Sequence, residues 1–162
     1  MDKHTLIKQQ LPELLAFQNR VNFEMAENWA FQGYPWYRSV LVLCAGVIGQ
    51  ADDKHRVKLH LVEIFSKLLT ENMEACIKKG TPIANNPGAL EFLAGSYSRS
   101  FQGNSSEVFS RRLDEFMGAC ASGHIPVHKF WGLCACVGLE WPELRLMFLE
   151  HIGINSEKSH AA

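Results

Sequence analysis

The chain has 162 residues, 47% of them hydrophobic, and its 16 lysine and arginine residues nearly balance 17 aspartate and glutamate residues. This length predicts a single domain with an ordinary core. A net charge of −1 argues against bulk nucleic acid or an anionic membrane surface as the partner, because both need a basic footprint. The longest apolar run, residues 40–49, is too short for a bilayer span, which needs about 20 residues. Five cysteines in apolar stretches predict buried free thiols in a reducing, cytoplasmic compartment.

Apolar residues at spacings of three and four predict helices along the whole chain, and no alternating pattern is long enough for a sheet. The predicted helices cover, in chain order, residues 11–30, a second helix opened by Trp36, residues 54–79, a short piece at 89–93, residues 107–121, residues 127–137, and a last helix opened by Trp141. The predicted fold class is therefore all-α, with one domain over residues 1–162.

Local sequence signals predict how several of these elements end and pack. Asp52 and Asp53 are placed to cap the third helix, and Gly80 to end it after basic last-turn residues. The second helix contains the uninterrupted apolar run VLVLCAGVIG at residues 40–49, which predicts burial on every side. Residues 95–106 are polar and are predicted to form a mobile loop.

Gln18 and Asn22 lie one turn apart on the otherwise apolar stripe of the first helix. The apolar residues of that stripe are Leu11, Leu14, Leu15, Met25 and Trp29. Buried polar groups need hydrogen-bond partners. One interpretation is that they bond to neighbouring helices, and the other is that they bind a ligand.

Seven short segments carry a family resemblance. They are FQNRVN at 17–22, NW at 28–29, QGY at 32–34, WYR at 36–38, LVEI at 61–64, FWGLC at 130–134 and PEL at 142–144. In this order and spacing they resemble the dimeric all-α dUTPase family, part of the wider group of all-α nucleotide pyrophosphohydrolases. The resemblance covers residues 11–155 and implies a helical bundle of the dUTPase type that forms a homodimer.

The resemblance also implies where Mg²⁺ would be bound, and the sequence departs from the family there. The Glu-x-x-Glu positions of the second helix fall on Leu43 and Gly46, and the next acid position on Gly49. The acidic pair of the third helix falls on His60 and Glu63. Because Mg²⁺ is held by oxygen ligands, the survival of one acid predicts that hydrolysis is lost.

Two other parts of the family's site are changed as well. The connection between the second and third helices, basic and Trp-rich in active relatives, is short here and contains Asp52 and Asp53, which repel a triphosphate. The family's closing segment, Lys-Asn-x-x-Asn-x-Phe-Arg, is replaced by EHIGIN at residues 150–155. Glu63 remains a residual metal candidate, but an ion pair with Lys67 one turn further on is the simpler prediction.

The region that contacts deoxyuridine in the family is better kept. The resemblance assigns Gln18 and Asn22 to the polar positions that contact the nucleoside, and Trp29 and Arg38 lie in matched segments. These four are the candidate nucleoside-binding residues, with packing roles as the alternative.

The function predicted first is that of a non-catalytic dUTPase-like protein that acts through protein–protein interaction. Because the family is common in bacteriophages, the resemblance suggests a phage regulator of a host protein. The candidate surface is the loop at 95–106, with Tyr97, Arg99 and Phe101.

Two alternatives remain open. The first is a sensor that holds a deoxyuridine nucleotide through Gln18 and Asn22 without hydrolysing it. The second is a residual Mg²⁺-dependent dUTP or dNTP pyrophosphohydrolase that uses Asp52, Asp53 and Glu63. No cofactor is expected unless that last alternative holds.

Overall fold

The computed structural model describes residues 2–26, 29, 35–81, 87–100 and 109–161. Within these ranges the chain is helical and contains no strand, which confirms the predicted all-α class. The helices are α1 (Lys3–Met25), α2 (Trp36–Gly49), α3 (Lys54–Lys78), α4 (Pro87–Ser100), α5 (Phe109–Ala121), α6 (Val127–Cys136) and α7 (Trp141–Ala161). None of them is long and apolar enough to cross a bilayer.

Helix α1 begins at Lys3 rather than at residue 11 because a side chain caps it there. The carboxylate of Asp2 accepts the N–H of Thr5 at 2.8 Å, which satisfies one of the unpaired donors of the first turn. The helix ends at Met25 rather than at residue 30. Met25 is exposed, so its predicted place on the buried stripe is wrong.

Both predicted ends of α3 are confirmed. The side chain of Asp53 accepts the N–H of Arg56 at 3.2 Å at the N-terminus. At the other end Gly80 has a φ of +71°, a left-handed conformation that glycine adopts without steric cost.

Helix α3 is central, since α1, α2, α6 and α7 all pack against it. Its fully buried Phe65 lies within an aromatic cluster. The distances from its ring centroid are 5.4 Å to Phe148, 5.8 Å to Trp131, 5.9 Å to Phe130 and 6.3 Å to Trp141. Both indole N–H groups have acceptors, the carbonyl of Leu93 for Trp131 and the amide of Gln10 for Trp141. The cluster therefore buries large apolar area without an unpaired indole donor.

The prediction that helix α2 is buried on every side is wrong. Val40, Cys44 and Val47 are buried, but Val42 is 72% exposed and Ile48 is 55% exposed. The helix lies at the edge of the bundle with α3 and α5 as its main neighbours. Only one of its faces is covered, although nearly every residue in it is apolar.

Helix α4 is longer than the predicted piece at 89–93 and takes in residues 95–100, which were predicted to be a mobile loop. Leu93, Ala94 and Tyr97 are buried, so a helical spacing of three and four continues past Gly95. The hydroxyl of Tyr97 accepts the N–H of Trp141 at 3.0 Å and ties α4 to the start of α7.

The connection between α5 and α6 is held against α3 by a carboxylate. The N–H of Ile125 donates to Glu71 Oε1 at 3.0 Å. Burial raises the pKa of the Glu71 carboxyl, although this hydrogen bond and the nearby imidazole of His124 oppose the shift. An ionised Glu71 therefore carries a desolvation cost in the folded protein.

We expect Glu71→Gln to stabilise the fold at neutral pH, because the amide oxygen still accepts from Ile125 without burying a charge. A carboxyl whose pKa is raised by folding loses its proton more readily in the unfolded chain, so wild-type stability falls as pH rises through the interval between the two pKa values. Denaturant unfolding gives the free energy of unfolding of variant and wild type. The two values should differ little at about pH 4, and by a larger, constant amount above the pKa of Glu71 in the folded protein. A difference of equal size at both ends, or the same trend in the exposed control Glu115→Gln, would contradict this.

Candidate functional site

The positions that would hold metal in a dUTPase come together between α2 and α3. The two helices run antiparallel, and Gly46 faces His60 so closely that a Cβ at this glycine would lie 3.0 Å from His60 Cε1. One turn away, Leu43 and Glu63 line the same groove. Gly49 lies at the exposed end of α2. Leu43 thus lies near Glu63, and Gly46 lies against His60, across the two helices.

These residues do not fit a Mg²⁺ centre. Leu43 is apolar and the two glycines have no side chain, so the only potential ligands are the imidazole of His60 and the carboxylate of Glu63. Mg²⁺ requires a near-octahedral set of oxygen ligands. In the part of the chain that the structure describes, no three His, Cys, Asp or Glu residues are grouped to hold a metal ion.

Glu63 lies beside His60, and the predicted Glu63–Lys67 ion pair is wrong. His60 Nδ1 is 3.8 Å from Glu63 Oε1, while His60 Nε2 is 2.9 Å from the amide oxygen of Gln50. Lys67 Nζ lies 5.6 Å from the ring centroid of Trp36 instead, a cation–π distance.

The space between these side chains is a cavity of about 340 Å³, open to solvent, which we call the α2–α3 groove. Its lining residues are Arg38, Ser39, Val42, Leu43, Glu63 and Lys67. Val42 and Leu43 are apolar, and the two cations of the lining are Arg38 on α2 and Lys67 on α3. A groove with this lining can bind an apolar group beside an anionic one.

Gln18 and Asn22 lie between α1 and α3 in a chain of hydrogen bonds. Ser66 Oγ donates to Gln18 Oε1 at 2.6 Å, and Gln18 Nε2 donates to Asn22 Oδ1 at 2.8 Å. Asn22 Nδ2 then donates to Thr70 Oγ1 at 3.0 Å, and this hydroxyl donates to the backbone carbonyl of Ser66. These four side chains, which we call the α1–α3 polar network, bond to one another, as the packing interpretation predicts.

The other two candidate nucleoside residues have different surroundings. Trp29 is buried in the core, whereas Arg38 is exposed, with its guanidinium carbon 5.9 Å from the ring centroid of Tyr37. The hydrogen bonds and ring contacts of the described residues do not join Arg38 to Gln18 or Asn22. The four therefore show no shared contact that would define one nucleoside site.

The predicted interaction surface at residues 95–106 needs correction. Tyr97 is 1% exposed, so it cannot contact a partner unless α4 moves. Arg99 is exposed on α4, and Phe101 lies outside the described residues. Residues 95–100 are rich in serine, which favours a loop prediction, but they continue the helical spacing of α4, whose buried side includes Leu93 and Tyr97.

An exposed apolar surface lies on α2 instead. Val42, Ala45 and Ile48, three residues apart along the helix, are all exposed, and we call them the α2 outward stripe. Val42 also lines the α2–α3 groove, so stripe and groove are continuous.

Sequence reasoning missed Ser66 and Thr70, the partners of Gln18 and Asn22. The signal was present, because these two polar residues are also four apart and also interrupt an apolar face. Two such pairs on neighbouring helices indicate a shared network. The sequence around Val42 and Ile48 does not predict that they are exposed, because their exposure depends on which elements cover α2.

Comparisons with known protein families, with curated proteins and with solved structures return no match.

Proposed function

We propose that the chain is a non-catalytic dUTPase-like protein that acts by binding another protein, and that the α2 outward stripe with the α2–α3 groove is its binding surface. The observation that carries this proposal is the exposure of Val42 and Ile48 on a helix with almost no polar residues. Contiguous exposed apolar residues next to a groove are typical of interaction sites.

Two further observations support the absence of catalysis. His60 and Glu63 are the only potential ligands at the positions where the family would bind Mg²⁺, and His60 is engaged by Gln50. With so few ligands the site would not hold Mg²⁺, the Lewis acid that such a hydrolysis uses to activate water. The α1–α3 polar network satisfies Gln18 and Asn22 internally, which does not favour the sensor alternative.

The absence of catalysis is tested by calorimetric titration of dUTP into the protein with Mg²⁺. We expect no sustained heat of turnover from the wild type or from Glu63→Gln. Turnover by the wild type that Glu63→Gln abolishes would overturn the non-catalytic proposal and support a residual pyrophosphohydrolase.

The binding surface is tested with Val42→Ser/Ile48→Ser and with the matched control Phe23→Ser/Leu146→Ser, which alters exposed apolar residues on α1 and α7. Removing apolar contacts at the centre of an interface costs about 1–2 kcal/mol per residue. We expect the α2 variant, and not the control, to lose the proteins captured by the wild type from a lysate of the source organism.

The homodimer implied by the resemblance is part of the same proposal. Light scattering across a concentration series gives the mass of the wild type and of both variants. If the mass of Val42→Ser/Ile48→Ser alone falls to that of one chain, the outward stripe is the contact between two copies.

A further inference from the structure

The two cations of the α2–α3 groove have no carboxylate partner among the described residues. No ion pair within 4.0 Å involves Arg38 or Lys67 in these ranges. Each lies near an aromatic ring instead, Arg38 by Tyr37 and Lys67 by Trp36. Such contacts use the ring face and leave N–H donors able to bind an anion.

The charge of the groove is therefore positive. Its one carboxylate, Glu63, lies next to the imidazole of His60. Helix α2 contains no acidic residue, and its only charged residue is Arg38. A cationic site with an apolar wall disfavours a basic partner and favours a carboxylate.

The shape of the surface indicates a helix rather than a small ligand. From Arg38 to Ile48 the outward face of α2 extends about 15 Å, since a helix rises about 1.5 Å per residue. That length matches about three turns of a partner helix. Val42 belongs to both the outward stripe and the groove, and an apolar strip that continues into a groove is the kind of surface on which an amphipathic helix packs its apolar side.

We propose that the partner presents an acidic amphipathic helix, whose apolar residues pack on Val42, Ala45 and Ile48 and whose carboxylate binds between Arg38 and Lys67. This inference rests on the proposed function and specifies the chemistry of the partner. It excludes basic segments and electroneutral apolar ones as the preferred ligand.

The test is a selection from a displayed library of random helical peptides with the full chain as the target. Wild type should enrich peptides with apolar residues at spacings of three and four and an excess of Asp and Glu at one end. Arg38→Glu/Lys67→Glu should lose about tenfold or more in affinity for these peptides and should enrich Lys- and Arg-containing ones.

The matched control is Arg20→Glu/Lys79→Glu, which makes the same change in net charge at exposed positions outside the groove. It should enrich the same acidic peptides as the wild type. Circular dichroism and thermal unfolding establish that both double variants are folded.

Three outcomes would overturn the inference. They are selected peptides without an acidic excess, an unchanged selection by Arg38→Glu/Lys67→Glu, and displacement of the acidic peptides by millimolar inorganic phosphate or dUMP, which would assign the groove to a small anion. None of these outcomes measures dUTP turnover or the effect of Val42→Ser/Ile48→Ser on the capture of proteins from a lysate. The failure of this inference can therefore be distinguished from the failure of the proposed function.

Discussion

Replacing Phe65 with alanine should lower the free energy of unfolding by about 3–5 kcal/mol, the range found for large-to-small changes at buried aromatic positions. Phe65 is fully buried on the central helix and contacts the rings of four other aromatic residues. Those rings come from α6 and α7, so the cavity would lie where three helices meet. The surrounding indoles are fixed by their hydrogen bonds to Leu93 and Gln10, which limits how far the cluster can collapse.

Urea unfolding followed by far-UV circular dichroism gives the free energy, and Phe23→Ala is the matched control. Phe23 is 59% exposed on α1, so its truncation should change stability by less than about 0.5 kcal/mol. Phe65→Leu should fall between the two, because it retains part of the buried volume. A loss of less than about 1 kcal/mol in Phe65→Ala would show that Phe65 is not central to the core.

The features predicted best from sequence are those set by local chemistry. The start and end of α3 follow from Asp53 and Gly80, and Leu61 and Phe65, four residues apart along this helix, are both buried. All five cysteines are buried free thiols, also as predicted. These outcomes depend on backbone donors, conformational preference and helical period, which a single sequence contains.

The features predicted worst depend on what covers each helix. The composition of α2 predicts burial all round, but among the described helices its main neighbours are α3 and α5. The loop predicted at Tyr97 is wrong, because the residue that holds this side chain in place, Trp141, is 44 residues away in the chain. Neither outcome can be derived from a local window, because tertiary packing decides it.

The candidate site shows the same division. The resemblance names Leu43, Gly46, His60 and Glu63 as one set of positions, and in the structure Leu43 lines a groove with Glu63 while Gly46 lies against His60. The ion pair predicted for Glu63 is wrong because Lys67 lies by Trp36, whose position relative to α3 is a matter of tertiary structure.

Replacing Gln18 with alanine should cost about 2–4 kcal/mol of stability, because it removes two buried hydrogen bonds and leaves polar partners unsatisfied. Gln18 is 4% exposed, and its amide joins the hydroxyl of Ser66 to the side chain of Asn22. The matched control is Gln9→Ala, at an exposed position of the same helix, which should be within about 0.5 kcal/mol of wild type. A double-mutant cycle with Ser66→Ala should give a coupling of about 1 kcal/mol, since both single variants break the same bond.

The same variant decides between the structural and the nucleoside interpretation of this residue. A ligand that binds only the folded chain raises its melting temperature, and the rise is larger for a tighter ligand at the same concentration. If Gln18 serves packing, millimolar dUMP should leave the melting temperatures of wild type and Gln18→Ala unchanged while their difference in stability persists. If dUMP raises the melting temperature of the wild type and Gln18→Ala abolishes that rise, the network must open to admit a nucleotide. Gln18 would then bind ligand by giving up its bond to Ser66, and the sensor alternative would replace the packing role.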